Sequence, residues 1–159
     1  MSIRSYSPTD VAVLLAGFYQ VDGFMEGSFI SISKDVQPYK TTRTSDGQVA
    51  RTFTKDDTYT VTLNLASTSP TNDLLNAVVL GDSLTQYGKF PLFVKDGSGT
   101  SLFLAPTSWV KEVPDLAFSE DVTTRTWVLQ ATNCVTNFGG NEGASSALQD
   151  LATVTLGAL

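Results

Sequence analysis

The chain has 159 residues, with Lys+Arg 10 against Asp+Glu 16, a formal net charge of -6 and no histidine. That length suits one domain with a sizeable core, the acidity disfavours binding to nucleic-acid phosphates, and the missing histidine removes imidazole catalysis together with the commonest metal ligand. A lone cysteine, Cys134, excludes an intrachain disulfide and a multi-cysteine zinc site, and reads as a small buried hydrophobe.

Residues 1–10 form a polar arm with Pro8 near its end. They lack the charged start and long apolar run of a secretory signal, and nowhere does the chain approach the ~18 consecutive apolar residues of a membrane helix. A soluble intracellular protein is the expectation. Val11 to Ala16 (VAVLLA) is a continuous apolar run, which reads as a strand buried on both faces. Gly17 and Gly23 bracket FYQVD, a bend or a second short strand. In SFISISK, Ile30 and Ile32 fall on one side and Phe29, Ser31 and Ser33 on the other.

From Asp35 to Asp57 runs a long polar excursion with Asp46-Gly47 near its middle, a strong hairpin signal. Its arms, Tyr39 to Thr44 and Gln48 to Thr54, carry few large apolar residues, so this hairpin has no face to bury in its own monomer and needs a partner surface. Arg43, Arg51 and Lys55 make it mildly basic, either to keep it soluble or to meet acidic groups on a neighbouring subunit.

Thr58 to Ala66 (TYTVTLNLA) alternates strictly, with Tyr59, Val61, Leu63 and Leu65 against Thr60, Thr62 and Asn64, and this half-buried strand organises the rest. Ser69 then reads as an N-cap before Pro70 at the first helical position. Leu74, Leu75, Val78 and Val79 recur at helical spacing, predicting a helix over 70–80 that lays an apolar stripe on the sheet. The turn GDSLTQYGK leads to a strand at Phe90 to Asp96.

Asp96 to Thr100 is a glycine-containing tip between FPLFVK and SLFLA, a second hairpin. A further strand is expected around Trp109, separated from SLFLA by Pro106 and interrupted by Pro114. Thr124 to Cys134 alternates again, with Trp127, Leu129 and Ala131 inward and Thr126, Val128, Gln130 and Thr132 outward. The C-terminal segment 138–159 opens with a glycine-rich loop, and SALQDLATVTLGAL reads either as a short helix or as a strand.

The stretch Val78 to Thr85 contains Gly81-Asp82-Ser83-Leu84, similar to the first block of GDSL esterases. That chemistry needs a histidine to take the serine proton, so Ser83 reads as a helix-end residue. The carboxylate pairs Asp56/Asp57 and Glu120/Asp121 sit in polar turns and read as solvated acids rather than a glycosidase pair. Trp109 and Trp127 read as core. No catalytic, metal or cofactor-binding residue is expected.

In their order along the chain, YSPTDV (6–11), GFMEGSFISI (23–32), DGQVAR (46–51), TVTLNLASTSPTNDLL (60–75), FPLFVKDGSGTSLF (90–103), PDLAFSEDVTTRTW (114–127) and GGN (139–141) resemble the tail tube proteins of contractile-tailed bacteriophages, relatives of type VI secretion tube proteins. The resemblance implies a mainly β fold over residues 1–159, a small β-barrel or sandwich with one flanking α-helix. It implies homohexameric rings stacked into the tail tube of a virion assembled in the host cytoplasm, with sheath, baseplate and tail terminator proteins as partners. The hairpin residues Arg43, Asp46, Gly47, Arg51, Lys55, Asp56 and Asp57 would then contact the adjacent ring or subunit. A lumen lined by Ser31, Ser33, Thr60, Thr62, Asn64 and Gln130 offers few cationic anchors, so DNA would slide through rather than stick. The tube subunit of a contractile secretion or tailocin apparatus is an alternative. A β-sandwich carbohydrate-binding module or adhesin is another, and it differs by placing exposed aromatics on one face of a stable monomer, where the tube places aromatics in the core.

Overall fold

The computed structural model describes residues 7–27, 29–97 and 99–139. In chain order these form a 3-10 turn (Pro8–Asp10), strands β1 (Val11–Leu15), β2 (Tyr19–Gln20), β3 (Ile30–Lys34), β4 (Tyr39–Arg43), β5 (Val49–Phe53) and β6 (Tyr59–Ala66), helix α1 (Thr71–Thr85), and strands β7 (Phe90–Asp96), β8 (Leu102–Glu112), β9 (Thr124–Thr132) and β10 (Val135–Asn137). The expected mainly β fold with one α-helix is what forms. Residues 1–6 of the N-terminal arm and the C-terminal segment from 140 onward lie outside the described residues.

Strand β6 alternates buried and half-buried residues along its whole length, as its sequence demands. It pairs antiparallel with β3 on one side and β9 on the other. The sheet runs β2-β1-β7-β8-β9-β6-β3, with β10 added to β8. The two ends of this path do not pair, so the expected barrel is corrected to an open sheet. Strand β2 is two residues long and offers β3 no ladder for closure. The sheet nevertheless curls: Val11 of β1 and Ile32 of β3 line one cavity of about 170 Å³ with Phe103 and Phe138.

Its concave face holds the core. Val13 and Leu15, Leu92 and Val94, Phe103 and Ala105, Trp127, Leu129 and Ala131, and all four inward residues of β6 are buried there with Leu75 of α1. Fully burying side chains of this size contributes roughly 1.5–3 kcal/mol each. Strand β1 buries Val13 and Leu15 while Val11, Ala12 and Leu14 are only partly covered, which corrects the two-faced burial expected of VAVLLA: among the described residues no layer packs its outer side. Strand β8 runs unbroken through Pro106, against the expected interruption. Pro106 lies beside the register shift between Phe90 and Leu92 of β7, where the ladder is already irregular and a missing N–H is tolerated. Trp127 is core as expected, but Trp109 shares the outer face with its partner Gln130 and is only half-buried. Cys134 is half-buried against the core, and burial first, then the Asp57 charge, pushes its thiol up to about 11.

A buried polar knot fixes α1 to the sheet. Ser69 Oγ donates to the Asp22 carbonyl at 2.7 Å and accepts from the Thr71 N–H at 3.3 Å, but the helix starts at Thr71 with Pro70 in the N-cap position, one residue later than the Ser69 cap expected from the sequence. Gly23, at φ +71°, makes this approach possible, since a Cβ there would stand 2.6 Å from Ser69 Cβ. Asn72 donates to the carbonyls of Ala66 and Ser69 and accepts from Trp127 Nε1 at 2.9 Å. The helix continues to Thr85, so Gly81 to Thr85 are helical rather than a turn, and it ends at Gln86 with φ +60°. GDSLT stays within the helix, and its Ser83 and Thr85 hydroxyls, which elsewhere compete with the backbone, donate back to the carbonyls of Leu80 and Gly81.

Trp127→Phe keeps most of the apolar volume but strands the buried Asn72 oxygen, and should lower unfolding free energy by about 1–3 kcal/mol in urea titration. Ser31→Ala, on the exposed face, should stay within about 0.5 kcal/mol of wild type.

Candidate functional site

The β4–β5 hairpin grows out of the β3–β6 pair. Past the last ladder residues, Asp35 N–H donates to the Thr58 carbonyl at 3.0 Å and Thr54 N–H to the Pro38 carbonyl at 2.8 Å, so the two chains leave the body together. Beyond that point they form their own two-stranded sheet, registered from Tyr39↔Phe53 to Arg43↔Val49. All ten strand residues are exposed. An isolated two-stranded ribbon is marginal in water, and here its stiffness comes from side chains on one face. Tyr39 and Phe53 rings sit 5.3 Å apart, and the Arg51 guanidinium lies 4.4 Å over the Tyr39 ring. Thr41, Arg43 and Val49 continue that face by register. Few apolar residues were expected in the arms, and Tyr39, Val49 and Phe53 were missed as members of the surface; the alternation of Tyr39, Thr41 and Arg43 was the available signal.

At the tip, Gly47 adopts φ +85° and donates its N–H to the Thr44 carbonyl at 3.1 Å, while Thr44 N–H donates to the Gln48 carbonyl at 2.9 Å. The Thr44 hydroxyl donates to the Asp46 carboxylate. That bond, more than any other contact, holds the Asp46 carboxyl below the usual aspartate range. At the base, Asp56 accepts from the Thr58 N–H at 3.0 Å, and its carboxyl is held low by the Thr58 side chain first and this backbone bond next. Asp57 pairs with Lys34 at 3.6 Å, and Lys34 also lies over the Tyr59 ring. Lys55 is exposed beside them. Of the expected hairpin residues, then, Arg43 and Arg51 lie on the ribbon, Asp46 and Gly47 form its tip, and Lys55, Asp56 and Asp57 form its root.

The second expected group shares one contiguous face. Ser31 is opposite Thr62, Ser33 is opposite Thr60, and Thr60 is opposite Gln130 across β3, β6 and β9. Asn64 accepts from the Thr126 hydroxyl at 2.9 Å. One residue that sequence reasoning left out ties this face together: the Asp35 carboxylate accepts from both the Thr60 hydroxyl and Gln130 Nε2, the latter at 2.7 Å. Its position next to the hairpin, one residue past β3, was the clue.

Ser83 sits exposed in the last turn of α1, and Glu120 and Asp121 are exposed in the loop after β8. Among the described residues no group of three or more His, Cys, Asp or Glu side chains is placed to hold a metal, and no helix is long and apolar enough to cross a membrane. Several aromatics are exposed, among them Phe18, Tyr87 and Phe118 besides the hairpin pair. The expectation that aromatics stay in the core is therefore corrected: these lie on loops, on the ribbon and just past the end of α1, where no second layer among the described residues reaches them, rather than as a platform on the sheet.

No protein-family model matches the chain. The structural protein ORF10 of Pseudomonas phage KPP10 is 30% identical to it over 156 residues, spanning 94% of this chain and 90% of that protein. Among solved structures, a chain of the anti-feeding prophage cap, the tube terminating cap, superposes with a TM-score of 0.59 at 15% identity, over 86% of this chain and 93% of that one. A chain from the sheath/tube terminator of the PVC extracellular contractile injection system, in its extended state, does so with a TM-score of 0.59 at 15% identity, over 86% and 99%. One from the PVC sheath-tube complex in the extended state gives 0.57 at 14% identity, over 84% and 91%.

The hairpin tip yields a pH test. Because the Asp46 carboxyl titrates lower folded than unfolded, its turn contact is fully present above the unfolded aspartate range and is lost as pH falls through the lower, folded value. Carboxyl-carbon NMR should place the Asp46 midpoint below that of an aspartate in a denatured peptide, and Thr44→Val should bring it back up. A midpoint unchanged by Thr44→Val would contradict the hydroxyl as the cause.

Proposed function

The chain belongs to the family of phage structural proteins represented by ORF10 of Pseudomonas phage KPP10, and from that premise we propose that it is a ring-forming subunit of a phage tail tube. Six copies close into a ring and rings stack, with the hairpin reaching the adjacent ring or subunit. The observation that carries this reading is the β4–β5 ribbon, whose ten strand residues are all exposed while an aromatic pair and an arginine order one face of it. A protomer rarely maintains such an extension unless it is covered on assembly. The fold shared with chains of contractile tube and cap assemblies supports the same role.

In this reading the hydroxyl and amide face of β3, β6 and β9 borders the lumen. Ser31, Ser33, Thr60, Thr62, Asn64 and Gln130 bring no cation to it, and the chain is acidic, so DNA passes without adhering. Sheath, baseplate and terminator proteins are the other partners, the setting is the virion tail, and the role requires neither catalysis nor a cofactor. A second reading is a terminal ring that caps the tube, favoured by the likeness to a tube terminating cap and a sheath/tube terminator. The two differ in whether a ring of this protein accepts another ring of itself.

Negative-stain electron microscopy of the purified protein separates them. Hollow tubes of stacked rings are expected, and deletion of residues 39–53 with a short glycine bridge should leave the far-ultraviolet spectrum of the β body while abolishing stacking. Single rings that never stack point to the terminal ring. Dispersed monomers at high concentration contradict both, and tubes unaffected by the deletion contradict the role given to the hairpin.

A further inference from the structure

The protomer exposes two surfaces of opposite charge, each bearing apolar side chains. Along its ribbon, residues 39–53, the hairpin holds three of the chain's ten cationic residues, Lys40, Arg43 and Arg51, against a single acid, Asp46, while at its root Lys55 stands beside Asp56 and Asp57. The loop that joins β8 to β9 is its counterpart. From Val113 to Thr123 it carries Asp115, Glu120 and Asp121 and no cation, following Lys111 and Glu112 at the end of β8. Its apolar side chains face solvent, with Leu116 68% and Phe118 84% exposed.

Neither surface covers the other within one chain, because both are open in the same protomer. We propose that the basic, aromatic hairpin of one copy docks on the acidic, apolar β8–β9 loop of the neighbouring copy. This rests on the tube reading and deepens it by naming the hairpin's receptor. Charge decides the pairing. Hairpin against hairpin brings cations together, loop against loop brings acids together, and each juxtaposition is penalised when water is excluded; hairpin on loop alone opposes the signs. Leu116 and Phe118 then gain the Tyr39, Val49 and Phe53 face as an apolar partner, removing from water side chains that are costly to leave exposed. The contact joins two different patches, so every docked copy still offers one free patch of each kind. Such a heterologous contact propagates into rings or stacks rather than stopping at a dimer.

The test is charge reversal with compensation in the full chain. Arg43→Glu with Arg51→Glu, the two cations on the Tyr39 and Phe53 face, and separately Glu120→Lys with Asp121→Lys, should each raise the concentration needed for half-assembly, read by sedimentation, at least about tenfold. All four substitutions together should return it to within about threefold of wild type. Circular dichroism checks that each variant folds, and where a reversed pair does not, the neutral Arg43→Gln/Arg51→Gln and Glu120→Gln/Asp121→Asn versions carry the same test with a smaller rise. Wild type that assembles while the reversed variants assemble equally well, or a combined variant no better than either pair, overturns the docking and leaves the tube reading standing. Wild type that forms neither rings nor tubes removes both.

Discussion

One antiparallel ladder, from Ile30↔Leu63 to Lys34↔Tyr59, enters two different environments. Inside the body, β6 places every second residue in a core shared with four other strands and the helix. Past Asp35 and Thr58 the same two chains continue with none of the described residues covering them above or below. The hydrophobic effect therefore stabilises the first half of the path and contributes little to the second. What keeps the ribbon in register is its own turn and one stacked face, worth roughly 0.2–1 kcal/mol per cross-strand pair. A protomer built this way is complete at its centre and unfinished at its arm.

The centre must be rigid for the arm to be aimed. Seven strands in one open path leave the ends of the sheet free, and α1 holds the curl by packing Leu75 into the core and by the Ser69, Asn72 and Trp127 bonds. Buried polar groups that are all satisfied specify one arrangement, because any slip leaves an amide or indole unpaired at a cost comparable to several buried methylenes. The Lys34–Asp57 pair and the Asp35 bonds to Thr60 and Gln130 then brace the root of the hairpin against the sheet from both strands.

Much of this was legible because it depends on local periodicity. The alternation of Tyr59 to Ala66 and of Thr124 to Thr132 reports a sheet with one covered face, and Asp46-Gly47 reports a reversal. What stayed hidden depends on neighbours distant in sequence. Whether VAVLLA is covered on one face or two is decided by which layers exist, and whether the sheet closes is decided by whether β2 and β3, the ends of its path, pair. Pro106 lies inside a strand only because β7 has a register shift beside it. Gly81 to Thr85 look like a turn until the upstream helix is seen to carry through them. Strand β10 was not anticipated: the preceding strand was expected to run to Cys134, and the kink at Asn133, φ +55°, which turns Val135 to Asn137 onto β8, has no strong sequence signal. At the candidate site, the charged and turn residues were visible, whereas Tyr39, Val49 and Phe53 became meaningful only once the register aligned them on one face.

The central claim is that the ribbon is uncovered in the lone protomer and covered by another copy when the protein assembles. Backbone hydrogen exchange, read peptide by peptide on dissociated and on assembled protein, tests this most directly. Residues 39–53 should exchange rapidly in the dissociated state and slow strongly on assembly, while β6 and β9 are protected in both. Equal, fast exchange of the ribbon in both states, or protection already present in the isolated protomer, would contradict it.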